Sequence, residues 1–436
     1  MTSRFLAVLA AFAILHPAPA VAAPSTAEQR MAQVVDAESP RTLAMLETWV
    51  NQNSGTMNHA GVEAVGRMVR PELEQLGFKV EWIDMSAAGR AGHLVARHQG
   101  SRSGKRLLLI AHLDTVFEPD SPLQRWQSDG KIAHAPGGAD DKGGIAIIVA
   151  ALRSMRAAGT LKNANITVFL TGDEEDAGNP LTISRRDLIA EGKRADVALD
   201  FEPLAQDEGL DMGSIARRSA GSWTVTATGR SGHSAGVGGP NAGFGAIYEL
   251  ARILDAFRRE LPEDKLTYNV GLIGGGQSAE LDPARIRLQA TGKTNIIAAK
   301  AVARGDMRAI SGEQIARTQA KMRAIVAQSL PGAKAEISFD DDGYPPMPPT
   351  EGNRALLAGL NLVNRDLGLA PMGELDPSQR GAGDISFVAK DVDGLVGLGP
   401  AANGTHTAGE TVDIASISRQ SKRAAILMSR LVKERR

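Results

Sequence analysis

The tightest constraint on the fold is carried by residues 107–114, LLLIAHLD. Leu107, Leu108, Leu109 and Ile110 leave no polar face in a strand, which fits burial on both sides within an open α/β sheet. Functional groups in such sheets lie just beyond the carboxyl ends of the strands. His112 and Asp114 stand at that point. An imidazole two residues before a carboxylate suits a metal ligand with an orienting partner, because a ligating His usually donates its second N–H to a carboxylate or carbonyl. A lone His-x-Asp also occurs at ordinary strand ends, so the other strand exits matter.

Three acidic clusters accompany it. Residues 166–170 (ITVFL) run straight into Thr171-Gly-Asp-Glu-Glu-Asp176, and a strand over 197–201 ends at Glu202-Pro203. In HAPGGADDKGG (134–144), Asp140, Asp141 and Lys142 crowd together before an amphipathic helix that Gly144 opens, through Ile145, Ile148, Leu152 and Met155. Adjacent acids before a helix can serve simply as N-caps. The alternative is a carboxylate that bridges two cations. Glu174 and Glu175 are neighbours at a strand end and point to opposite sides, so one can face a metal while the other faces substrate. Solvated acidic turns are common, but three acid clusters and a His, each beside an expected strand end, favour convergence.

The chain holds eight histidines and no cysteine. His16 lies in the amino-terminal segment, and His59, His93, His98 and His134 fall in helices, edge strands or turns without partnered acids, which reads as structural or surface. His112, Asp140, Glu175, Glu202 and His406 remain as ligand candidates. Imidazole with carboxylate and no thiolate suits zinc or a similar borderline divalent ion. If Asp140 bridges, each ion gains one His, one terminal carboxylate and a share of Asp140.

Residues 1–22 read as a separate element. Arg4 precedes an apolar run (5–15), then Pro17, Pro19 and a small-x-small site at Ala20-Val21-Ala22, the pattern of an export signal that is removed. The protein is therefore expected in the periplasm or secreted, with no membrane association after signal removal. Of 436 residues, 49 are basic and 50 acidic, so no broad basic field exists for nucleic acid.

In order, residues 40–78 read as one helical stretch, 79–83 and 93–98 as short strands, and 107 onward as the central strand. From 213 the texture changes. Strands at 223–228, 266–273, 301–307 and 333–339, with helices at 242–257 and 314–330, give the β-α-β-β-α-β order of a ferredoxin-like sandwich. It reads as an inserted domain spanning 213–333, between catalytic parts at 23–212 and 334–436. His233 sits in it on a glycine-rich loop. A hinge-like stretch follows at 340–349, then a helix at 353–364, a glycine-rich turn at 381–384, a strand at 395–398, the His406 loop, and a closing helix from 412.

HLDTV (112–116), GGADDKGG (137–144), TGDEE (171–175), FEP (201–203), SGHSAG (231–236) and GTHT (404–407) together resemble the di-zinc metallopeptidase family of carboxypeptidase G, aminoacylase and succinyl-diaminopimelate desuccinylase. The resemblance implies an α/β fold, a mixed sheet flanked by helices as in di-zinc aminopeptidases, with the insertion as a ferredoxin-like dimerisation domain. It implies two zinc ions per subunit on His112, Asp140, Glu175, Glu202 and His406, Asp140 bridging. Asp114 would orient His112, Glu174 would be the general base, and a cis peptide would follow Asp140. His233 would reach the partner subunit's site, Asn295 and Arg308 would hold a substrate carboxylate, and the protein would be a homodimer through 213–333. Asp200 rivals Glu202 as ligand.

The implied activity is that of a glutamate carboxypeptidase-like exopeptidase on small peptides, or of an aminoacylase-like amidohydrolase on N-acyl amino acids. A non-catalytic periplasmic solute- or zinc-binding protein is the alternative of another class. Asp207, Glu208 and Asp340–Asp342 stand where glutamate-releasing relatives tend to carry extra basic residues, which argues against a preference for an acidic side chain.

Overall fold

The structure, a computed structural model, describes residues 24–100 and 103–436. The expected export segment, 1–22, lies outside the described residues. The main sheet has six strands in the spatial order Lys79–Asp84, Gly92–His98, Asn165–Thr171, Arg106–His112, Val197–Asp200 and Gly394–Val396. The last four run parallel, and Gly92–His98 is antiparallel to both of its neighbours.

Arg106–His112 has a strand on each side, and its side chains alternate between two apolar layers. Leu107, Leu109 and Ala111 pack in the core shared with Ile145, Leu152 and Leu427, while Leu108 and Ile110 enter the opposite core with Phe169, Ile385 and Val396. At ~1.5–3 kcal/mol for each fully buried aliphatic, the run has no reason to alternate with polar residues. Helices Thr26–Val50, His59–Glu74, Lys142–Ala157, Glu351–Asp366 and Ile414–Leu431 all contribute to the first core, through Met31, Val62, Ile145, Leu356 and Ile417 among others.

The single helical stretch expected over 40–78 is instead two helices, Thr26–Val50 and His59–Glu74. The first starts earlier because Ser25 and Glu28 form a capping box. The break has a tertiary cause: Gly55 pairs with Thr115, and Thr115 N donates to Ser54 O at 2.9 Å. Asn58 then caps the second helix by accepting from Gly61 N.

The second unit runs Gly221–Gly229, Ala246–Glu260, Thr267–Tyr268 with Leu272–Gly276, Lys300–Arg308, Gly312–Val326 and Ala333–Phe339. Its core gathers Trp223, Leu250, Phe257 and Met322. The strand expected over 266–273 is split into two pieces, both paired to Lys300–Arg308, and a hairpin of Ser278–Leu281 and Leu288–Thr291 was not foreseen. The helix expected from 242 begins at Ala246, because Gly243 and Gly245 at φ 70 and 81 occupy left-handed backbone. The two chain crossings between the units pair with each other, Arg217 with Met347 and Ala220 with Tyr344.

Beneath the strand ends, fully buried Arg185 donates from Nε to Asp384 Oδ1 at 2.8 Å and from Nη1 to Asp173 Oδ1 at 2.5 Å. Both carboxylates are buried. Arg185→Met is expected to destabilise the fold by ~3–5 kcal/mol, because it leaves two buried charges without their partner. Urea unfolding measures this, and a loss below ~1 kcal/mol would contradict it.

Candidate metal centre

Three central strands of the main sheet each deliver a group. His112 ends its strand, Glu174 and Glu175 follow Asn165–Thr171, Glu202 follows Val197–Asp200, and Asp140 lies just before helix Lys142–Ala157. His406 sits between the short strands Ala402–Asn403 and Thr411–Asp413. It is held at φ 64, uncommon for a residue other than glycine, and such outliers cluster at functional sites.

Of these side chains, His112, Glu175, Glu202 and His406 converge on Asp140. Its Oδ1 lies 3.0 Å from His112 Nε2 and its Oδ2 lies 3.1 Å from His406 Nε2. Glu175 Oε2 is 3.1 Å from the same His406 nitrogen. Potential ligand atoms of His112, Asp140 and Glu202 lie within 4.8 Å of one another, as do those of Asp140, Glu175 and His406. Asp140 belongs to both groups. The peptide between Asp140 and Asp141 is cis.

Asp114 organises the surroundings. The backbone N–H groups of Glu174 and Glu175 donate to its two carboxylate oxygens at 3.0 and 3.1 Å, and Thr56 Oγ1 donates at 2.6 Å. His112 Nδ1 faces the Asp114 carbonyl at 3.0 Å. The break between the first two helices thus supplies a hydroxyl to the site. Asp200 turns instead to the Glu202 amide, whose N–H it accepts at 3.2 Å.

Packing so many acids together shifts their titration. Burial, then the nearby Glu202 charge, pushes the Glu174 carboxyl well above the usual carboxylate range. Burial, then Asp140, raises Glu175 to about 7, and burial with Glu202 raises Asp200 to about 7. Burial alone would also raise Asp140, but hydrogen bonds and charge from His112 and His406 hold it well below. Contacts with Asp140 and then Glu175 raise His406 to about 11.

In the second unit His233 and Asn295 share a hollow of their own. Ser231, His233, Lys293, Asn295 and Ile296 line a cavity of about 380 Å³ that no residue of the Asp140 group enters. His233 Nδ1 accepts from Ala235 N at 3.2 Å. Arg308 is held by Asp306 through Nε at 3.1 Å and lies close enough to Arg218 that, after burial, its charge helps lower that guanidinium's pKa.

Residues 108–430 match peptidase family M20/M25/M40. The chain belongs to this family. It is 32% identical over 264 residues to carboxypeptidase G2 of Pseudomonas sp. (strain RS-16), covering 59% of this chain and 61% of that protein. With succinyl-diaminopimelate desuccinylase of Leptothrix cholodnii it shares 30% over 203 residues, 44% of this chain and 52% of the relative. The chain thus spans about half to three-fifths of the length of these two curated relatives. The fold matches that of the Bacillus subtilis YXEP protein, described as a dinuclear metal binding peptidase from the M20 family, with TM-score 0.65, 15% identity and 91% and 99% of the two chains covered.

Within this M20 chain, motif reading overlooked several groups. Buried Arg217 forms an ion pair with Glu202 at 3.1 Å, and Arg380 donates to the Pro203 carbonyl. The Arg217-Arg218 pair follows the FEP motif and was the available signal. Two of the acids that set this chain apart from glutamate-releasing relatives have definite surroundings. Asp340 is neutralised by Arg285 and Arg304, both at 2.6 Å, and Asp207 lies on an exposed edge strand. Glu410, four residues after His406, accepts from Ala139 N at 3.1 Å, and burial, then Asp140, raises it to about 8. His93 does have an acid nearby: its Nδ1 is 4.0 Å from Asp173 and accepts from Gly172 N at 3.2 Å.

Proposed function

We propose that this hydrolase is a di-zinc exopeptidase, most like a glutamate carboxypeptidase, that cleaves an amide bond next to a free α-carboxylate. The observation that carries this is the Asp140 carboxylate, split between His112 and His406 with Glu202 and Glu175 alongside. The donors fit divalent cations. If His112 Nδ1–H is committed to the Asp114 carbonyl, the neutral ring aims a lone pair at a carboxylate oxygen, a contact that needs a proton or a cation. Glu175 Oε1 and Asp200 Oδ2 are buried without a hydrogen-bond partner among the described residues, as expected where positive charge is to be added. His112 and Glu202 would hold one ion, Glu175 and His406 the other, with Asp140 shared.

When bound, the ion pair would acidify a water and polarise a carbonyl oxygen. Glu174 takes the water proton and passes it to the leaving nitrogen, a role suited to a carboxyl whose pKa burial has raised. His233, supplied by a partner subunit, donates to the developing oxyanion. Arg308, with Asn295, holds the substrate's α-carboxylate by charge-assisted bonds. Val237, Ile247, Tyr248, Val270, Ile273 and Ile286 are large apolar side chains left exposed on 213–333, which supports a homodimer through this unit. We also propose export directed by residues 1–22; among the described residues no helix is long and apolar enough to cross a membrane.

The test is zinc-loaded protein incubated with a panel of dipeptides and N-acyl amino acids, with released amino acids identified by mass spectrometry. Release of a C-terminal amino acid supports the exopeptidase. Cleavage confined to the acyl compounds favours the aminoacylase alternative, and ligand recovered unchanged sinks both. Arg308→Ala is expected to lower kcat/KM by ~10–100-fold for substrates with a free carboxylate, the worth of one hydrogen bond to a charge. Carboxyl-amidated substrates, already poor, should lose nothing further, and an equal loss on both would refute the assignment.

A further inference from the structure

Each of the paired crossings carries one side chain into the active-site end of the main sheet. Arg217, on the first, meets Glu202. Tyr344, on the second, donates its hydroxyl to the Glu174 carbonyl at 2.8 Å. The crossings are locked by reciprocal bonds: Arg217 N and Met347 N each donate to the other's carbonyl at 2.9 Å, and Ala220 and Tyr344 exchange theirs at 3.0 and 2.8 Å.

The Tyr344 contact is braced from below. Arg185 donates to the Tyr344 oxygen at 2.8 Å, to the Asp173 carbonyl at 2.9 Å and to the carboxylates of Asp173 and Asp384. The Tyr344 ring packs edge-on against Phe387 at 4.8 Å. One tyrosine on the hinge therefore reaches two adjacent carbonyls of the TGDEE loop, Glu174 directly and Asp173 through Arg185. Any shift of the second unit would reach the loop through this bond, which is lost when stretched far beyond ~3.2 Å.

We propose that Tyr344 is a positioning residue that sets where Glu174 stands, so that the posture of the second unit is relayed to the base. This rests on Glu174 being the base, as proposed above. A hydroxyl bound to a backbone carbonyl fixes the loop without touching substrate. Its loss should therefore act on turnover more than on binding, since ~1 Å of misplacement can cost 10²-fold.

The test compares Tyr344→Phe, which keeps the ring packing, with Tyr268→Phe, which removes a matched hydroxyl-to-carbonyl bond to Phe257 inside the second unit. Tyr344→Phe should lower kcat by ~10–100-fold with KM within about twofold. It should also speed hydrogen exchange at the amides of residues 171–178, whereas Tyr268→Phe should change neither. Unchanged exchange in that loop, or kcat within about twofold of wild type, overturns the proposal. If Glu174→Gln retains turnover, the base assignment fails separately, and the exchange rates alone decide whether the hinge holds the loop.

Discussion

Replacing Glu174 by Gln is expected to lower kcat by ~10²–10⁴-fold, the usual share of a general acid–base group, without loss of bound metal or folding stability. Gln keeps the shape and can still hydrogen-bond a water, but it cannot accept and pass on a proton. The separation from metal binding follows from the geometry. Glu174 belongs to neither group of candidate ligands, and its backbone is fixed independently, by Asp114 at the N–H and Tyr344 at the carbonyl. Metal analysis of the variant, thermal unfolding and steady-state kinetics are the three measurements. Turnover within ~10-fold of wild type would remove Glu174 from the proton-transfer role. Loss of metal along with activity would instead make it a ligand.

Much of this site could be read from the chain because His112, Glu174, Glu175 and Glu202 stand at strand exits, where sequence pattern and position in the fold coincide. LLLIAHLD specifies a strand buried on both faces and the point at which His112 emerges, and ITVFL does the same for Glu174 and Glu175. What stayed hidden depended on contacts distant in sequence. Nothing local says that Ser54 to Thr56 must break a helix to pair with Thr115, although the Ser25-x-x-Glu28 capping box was a readable start for the first helix. Arg185 looks like a surface residue in RRD, yet is fully buried with its guanidinium bound to both Asp173 and Asp384. Arg217 and Tyr344 carry meaning only once the two crossings are paired. The pairing of Asp340 was equally hidden, because its arginine partners, Arg285 and Arg304, lie 55 and 36 residues away.

Substituting Asp140 by Asn should remove both cations together, because it is the one carboxylate common to both groups. Replacing His112 or His406 should weaken mainly one ion. After dialysis against limiting zinc, the Asp140 variant is expected to retain none and to be inactive, and wild type stripped by a chelator should match it until zinc is restored. Zinc should also stabilise wild type by ~2.7 kcal/mol at a free concentration 100 times Kd, and leave the variant unmoved. The sign of the pH dependence separates a cation site from a cluster held by protons. In the metal-free chain the folded values of the buried Glu175 and Asp200 are both raised to about 7, by burial first and then by neighbouring carboxylates. From pH ~5 to ~7 the folded state therefore keeps protons that the unfolded chain releases, and stability falls as pH rises, by up to ~1.4 kcal/mol per pH unit for each proton. Zinc must displace those protons, so its stabilisation grows over the same interval. Thermal unfolding of stripped and loaded protein at three pH values measures both slopes. A stripped chain that gains stability from pH ~5 to ~7 would mean that burial is not what holds these acids, and the case for added positive charge at Asp140 would lose its physical basis.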